Sequence, residues 1–98
     1  MIVAWSVYAF ADREAIFDYV AANNPRAAVS LDDRIESRVE GLAQFPEMGR
    51  PGRVQGTREL VIHRTSYIAA YRIVGDTIQI LRILHGAQQW PEAMPEAQ

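Results

Sequence analysis

Three runs in the second half of the chain are rich in β-branched and aromatic residues, the composition of strands: Thr57 to Arg64, Tyr67 to Val74 and Thr77 to His85. Gly75-Asp76 separates the last two. A two-residue Gly-Asp link predicts a type II′ hairpin turn, because glycine at its first central position accepts the positive φ. The register follows: Val74 opposes Thr77, Arg72 opposes Gln79, Ala70 opposes Leu81 and Ile68 opposes Ile83. A second reversal at Thr65-Ser66 sets Val61 against Ala70 and Glu59 against Arg72. Side chains alternate between the faces of a sheet. One face then holds Leu60, Ile62, Tyr67, Ala69, Tyr71, Ile73, Ile78, Ile80 and Leu84, and is assigned to the core. The other holds Val61, Ile68, Ala70, Leu81 and Ile83 inside a rim of Glu59, His63, Arg72, Gln79 and His85. An apolar patch with a polar rim has the make-up of a partner-binding surface. Arg82 falls on the core face, which predicts either a buried ion pair or a β-bulge.

The first half reads differently. Ile2 to Tyr8 has strand composition, and a helical pattern runs from about Phe10 to Ala22, with Ile16, Tyr19, Val20 and Asn23 on one face. Asp12 and Glu14 fall in its expected first turn, where the helix dipole favours carboxylates. Asn24 is placed to cap the next helix and Pro25 to open it. Ala28, Leu31, Ile35, Val39 and Leu42 then form one apolar stripe, and Phe45-Pro46 ends the helical stretch. The Asn-Asn-Pro link makes the two helices an antiparallel hairpin that must cover the sheet. The expected fold is α+β: a β-α-α-β-β-β two-layer sandwich, with a helical hairpin on a mainly antiparallel sheet. Residues 1–91 form one domain in this reading, Trp90 caps an edge of the core, and 92–98 are a loose C-terminal tail.

The net charge of −2 conceals an asymmetry: residues 49–85 carry six Arg against Glu59 and Asp76, while residues 1–48 carry four Arg against eight acids. A cationic sheet suits an acidic partner, and it equally suits an ordinary solvated surface. Every side-chain cation is Arg, and there is no Cys, which excludes disulfides, thiolate catalysis and cysteine zinc sites. His63 and His85 are the only histidines, too few for a metal site, so neither metal nor other cofactor is expected. The loop Gly49-Arg50-Pro51-Gly52-Arg53 lacks the Gly-Lys-Ser/Thr ending of a P-loop and runs into a strand. No signal pattern or long apolar run appears, so a soluble cytoplasmic protein with no membrane contact is expected. Metal-free acid–base chemistry remains, with His85 as acid or base and Arg53 and Arg72 as phosphate cations. The plainer reading of His85 is a hydrogen-bonding histidine at a strand end.

Several stretches, in order and spacing, resemble the RelE/ParE superfamily of type II toxin–antitoxin toxins. They are Asn24 to Ala28, Leu42 to Pro46 with Gly49-Arg50-Pro51-Gly52, Gly56 to Val61, Tyr67 to Arg72, and Ile80 to Gln88. The likeness spans about Trp5 to Pro91, and the family fold is the same β-α-α-β-β-β arrangement. RelE-like members are ribosome-dependent messenger RNA endoribonucleases, whereas ParE-like members poison DNA gyrase. Where nuclease members carry cations, the matching positions here hold Glu59, Val61, Ile68 and Gly86, and no Tyr follows Tyr71. Only His85 matches a nuclease residue. The resemblance therefore implies the ParE-like branch with no catalytic residues, a gyrase target, and a cognate antitoxin bound in a hetero-oligomer. The candidate contact residues are Val61, Ile68, Ala70, Leu81, Ile83, Arg53, Arg58, Arg72 and His85. The alternative is a RelE-like nuclease using His85 with Arg58 and Arg72, in which case RNA is bound directly.

Overall fold

The computed structural model describes residues 1–95, so the end of the expected loose tail, residues 96–98, lies outside the described residues. Strand β1 (Ile2–Trp5) leads into helix α1 (Val7–Ala21) and helix α2 (Pro25–Glu40), which a short 3-10 turn (Gly41–Ala43) extends. Strands β2 (Arg50–Pro51), β3 (Arg58–Val61), β4 (Tyr67–Val74) and β5 (Thr77–His85) follow. They form one sheet in the order β1-β5-β4-β3-β2, with β1 parallel to β5 and the remaining pairs antiparallel. Two helices on a five-stranded, mostly antiparallel open sheet is the expected sandwich with a short additional edge strand.

Helix α1 starts earlier than its pattern suggests. The Ser6 side chain accepts from the Ala9 N–H and caps the helix at Val7, so Val7 and Tyr8 are helical and not strand. Asp12 consequently lies beyond the first turn, and Tyr19, expected on the buried face, is 78% exposed. Helix α2 follows its signals: Asn24 accepts from the Ala27 N–H, Pro25 opens the helix, and Ala28, Ile35 and Val39 are buried. Leu42 is also buried, and Leu31 packs against the cluster from its edge. These side chains meet Leu60, Ile62, Ala69, Tyr71, Ile78, Ile80 and Ile83 of the sheet. Each fully buried Ile or Leu contributes ~2 kcal/mol.

The hairpin turn is as expected. Gly75 has φ +61 and Asp76 lies outside the left-handed region, and β4 and β5 span the expected residues. Val74↔Thr77 and Arg72↔Gln79 pair as expected, but a bulge then intervenes, so that Ala70 opposes Arg82, Ile68 opposes Leu84 and Tyr67 opposes His85. The extra residue is Leu81, and beyond it every side chain of β5 changes face. The β3–β4 register also differs by two residues, with Glu59 opposite Ala70 and Val61 opposite Ile68. The cause is a four-residue loop, His63 to Ser66. It is closed by the Ile62 N–H donating to the Tyr67 carbonyl and turned by Arg64 at φ +63. A shift of two preserves the faces, so Glu59 and Val61 remain on the side away from the helices.

Candidate functional site

The outer face of the sheet, away from the helices, is organised around Glu59. Its carboxylate is 3% exposed. It accepts from the Arg53 backbone N–H at 2.8 Å, from Arg53 Nε at 3.1 Å and Nη2 at 3.2 Å, and from Arg50 Nη2 at 3.2 Å. Two facts of sequence bring these groups together: Arg50-Pro51 pairs with Glu59-Arg58 as an edge ladder, and Gly56 at φ +81 turns the loop back. Burial alone would raise the Glu59 pKa. The Arg53 side-chain and backbone hydrogen bonds, with Arg50, outweigh it and hold the carboxyl below its ordinary value. The Arg53 guanidinium also lies 3.7 Å from the centre of the Trp90 ring. Trp90 Nε1 in turn donates to the His85 carbonyl at 3.1 Å, and the Gly86 N–H donates to the Ser66 carbonyl at 2.7 Å. The chain after β5 therefore folds back over the outer face.

The expected apolar patch is accordingly altered. Ile68, Ala70 and Leu81 are buried within the molecule, Leu84 joins them, and Val61 alone stays open at 39% exposure. Ile83 is a correction: the bulge turns it to the helix side, where it belongs to the core cluster. His85 is a second. It stands edge-on to Tyr67 at 5.5 Å, in a shallow cleft formed with Asp12, Ile16 and Tyr19 of α1. The expected pairing of Glu59 with Arg72 is a third, because Arg50 and Arg53 hold Glu59 instead.

The proposed cations do not converge. Arg58 turns to the helix side beside Tyr71, donating to the Gly49 carbonyl at 2.7 Å and standing 3.6 Å from a Glu47 oxygen. Arg53 is held by Glu59. Arg72 is half-buried on the outer face, opposite Gln79, and makes no ion pair among the described residues. His85 is on the other side of the sheet, and its Nδ1 accepts from the Ala87 N–H at 3.1 Å, which puts the hydrogen of the neutral ring on Nε2. Among the described residues no group of three His, Asp or Glu side chains is arranged to hold a metal.

Two features were beyond sequence reasoning. Asp12 takes both Arg82 Nε (2.7 Å) and Nη2 (3.0 Å) and also the Ile83 N–H (2.8 Å), so it fastens α1 to β5 just past the bulge. Of the two alternatives raised for Arg82 the bulge is the one found; its ion pair with Asp12 is only partly buried, and a partner seventy residues away leaves no local signal in the sequence. Tyr71 is the other. Its buried hydroxyl donates to the Pro46 carbonyl at 2.7 Å and accepts from the Gly49 N–H at 2.9 Å. Burial raises its pKa above the ordinary tyrosine value. A side chain at Gly49 would meet the Tyr71 ring at 2.6 Å, which explains the glycine there.

Comparison with known proteins agrees with this architecture. A sequence model described as the ParE toxin of the type II toxin–antitoxin system parDE matches residues 3–90. Putative toxin Y4kP of Sinorhizobium fredii is 39% identical over 92 residues, covering 94% of this chain and 95% of the relative. Toxin RelE2 of Caulobacter vibrioides is 35% identical over 86 residues, covering 88% and 96%. A solved structure described as the chromosomal ParDE TA system from P. aeruginosa superposes with a TM-score of 0.82 at 35% identity, over 87% of this chain and 95% of that one. The chain thus belongs to the ParE toxin family of type II toxin–antitoxin systems.

Proposed function

We propose that this toxin arrests growth by inhibiting DNA gyrase in the cytoplasm, and that a cognate antitoxin neutralises it by binding. The observation that carries this reading over nuclease chemistry is the disposition of its cations. Transfer of a phosphoryl group without a metal needs an acid, a base and cations gathered on one phosphate. Here Arg53 is bound to Glu59, Arg58 to Gly49 and Glu47, and His85 faces α1 across the sheet from Arg72. Positions 59, 61 and 68 carry Glu, Val and Ile, so at these three positions the outer face offers a phosphate one buried carboxylate and apolar groups, and Arg72 stands there without His85 beside it. Such a surface suits a protein target.

The test is a supercoiling and DNA-cleavage assay with purified gyrase and toxin, with and without antitoxin. The expected result is loss of supercoiling with accumulation of cleaved DNA, reversed by the antitoxin. His85→Ala should leave growth arrest unchanged within about twofold. Gyrase untouched at toxin levels that arrest growth, together with cut messenger RNA that His85→Ala abolishes, would replace this reading with the RelE-like one. The names of the two Caulobacter relatives, RelE1 and RelE2, keep that alternative in view.

A further inference from the structure

The two edges of the sheet are finished differently. At one end β2 has two residues, Arg50 and Pro51; proline has no N–H to offer, and both features discourage further pairing. Where β5 runs on past β1, its exposed backbone is closed by side chains. Ser6 Oγ donates to the Leu81 carbonyl, Asp12 accepts from the Ile83 N–H, and Gln88 Oε1 accepts from the His85 N–H. On the outer edge of β1 only the N-terminal amine is engaged, donating to the Ala43 carbonyl at 3.1 Å, and no side chain closes the edge beyond it among the described residues. The strand's inward groups are spent on β5, as the Ile2 N–H bond to the Asp76 carbonyl and the Ser6 N–H bond to the Ile80 carbonyl show. In a parallel ladder the alternate residues, Val3 and Trp5, then direct their N–H and C=O groups away from the sheet. Among the described residues neither has a hydrogen-bond partner for these groups. Residues 1–11 contain no charged side chain, and Ile2, which opens the strand, and Val7, the first residue of α1, are 60% and 59% exposed.

We propose that this edge pairs with β1 of a second copy of the chain, antiparallel about a two-fold axis through Ala4. The register is self-complementary. Val3 of each copy meets Trp5 of the other as a hydrogen-bonded pair, which satisfies four N–H and four C=O groups at the two sites together. Ala4 meets Ala4 at the closely spaced position between them, where a small side chain fits. Ile2 comes to lie beside Ser6 and Val7 of the other copy, which covers both exposed apolar groups. An uncharged strand is suited to meeting itself, because a charged one would face its own charge across the axis. The result is a continuous ten-stranded sheet with its blunted β2 edges outermost.

The experiment is sedimentation equilibrium of the full chain from about 5 μM to about 500 μM, with amide exchange followed in parallel. The expected result is a rise from the single-chain mass of 11.0 kDa towards twice that value. Protection of the Val3 and Trp5 amides should grow with concentration while other strand amides stay constant. Ala4→Glu and Ala4→Lys should each remain at the single-chain mass, since like charges then sit opposite each other. Mixing the two variants should restore the doubled mass, an outcome that misfolding would not produce. A wild-type chain at the single-chain mass throughout overturns the proposal and leaves the edge for a different partner. A dimer indifferent to both Ala4 variants overturns it as well.

Discussion

Replacing Glu59 by Gln tests the cluster that holds the outer face. Gln keeps the shape and one acceptor oxygen, but removes the charge and turns an NH2 group towards a guanidinium. Hydrogen bonds to charged groups contribute ~1.5–3 kcal/mol each. Arg53 and Arg50 are 43% and 55% exposed and return readily to water, so the loss for the whole cluster lies near the value of a single such bond. The expected destabilisation is about 2–3 kcal/mol, which lowers the melting temperature by ~8–20 °C for a chain of this size. Urea unfolding at pH 7 with an unchanged slope measures it. The folded pKa of Glu59 lies below its unfolded value of about 4.3. The stabilisation is therefore complete above the unfolded value and is lost as pH falls through the folded one. The gap between wild type and Glu59→Gln should be constant near neutrality and should close in acid. A variant within about 0.5 kcal/mol of wild type at pH 7 would refute the reasoning, because that is the ordinary scatter of surface substitutions. So would a gap that does not narrow below pH 4.3.

Two further substitutions test the other buried polar contacts. Tyr71→Phe removes the hydroxyl that serves both Pro46 and Gly49, leaves two backbone groups without partners, and should cost ~1–3 kcal/mol in urea unfolding with no change in fold; an unchanged stability would mean that water replaces it. Asp12→Ala strips the partner from Arg82 and from the Ile83 N–H, and should cost ~2 kcal/mol with faster hydrogen exchange at Ile83; an unaltered Ile83 amide would show that the bulge holds without α1.

What could be read from the sequence was whatever local chemistry decides. The Gly75-Asp76 turn, the spans of β4 and β5, the Asn24-Pro25 start of α2 and its apolar stripe all depend on neighbours a few residues away. The misreadings share a different cause. Val7 and Tyr8 resemble strand residues, and only the Ser6 cap, itself tied to Leu81 across the fold, commits them to helix. Arg50-Pro51 became a strand because Glu59 and Arg58 lie beside it, not through any propensity of its own. Local composition puts the reversal at Thr65-Ser66, whereas Arg64 takes the left-handed conformation and lengthens the loop to residues 63–66. The cover formed by Trp90 depends on a contact with Arg53, and no periodicity reports on such a pairing.

The bulge at Leu81 has the largest consequence of these, because it decides which residues can act together. In a regular ladder His85 would share the outer face with Arg72 and Ile68, while Arg58, paired with Tyr71, would stay on the helix side. One extra residue sends His85 and Ile83 to the helix side. The shift is held from two sides, by Ser6 at the Leu81 carbonyl and by Asp12 at the Ile83 N–H, so it belongs to the contact between α1 and β5 and not to the hairpin alone. Restoring cations at the outer positions, for instance Val61→Lys with Ile68→Arg, would add charge to that face and still leave His85 beside Tyr67 and α1. Whether His85 can act together with Arg72 is thus set by backbone register as well as by the identity of the side chains, and substitution at positions 61 and 68 alone does not bring the two together.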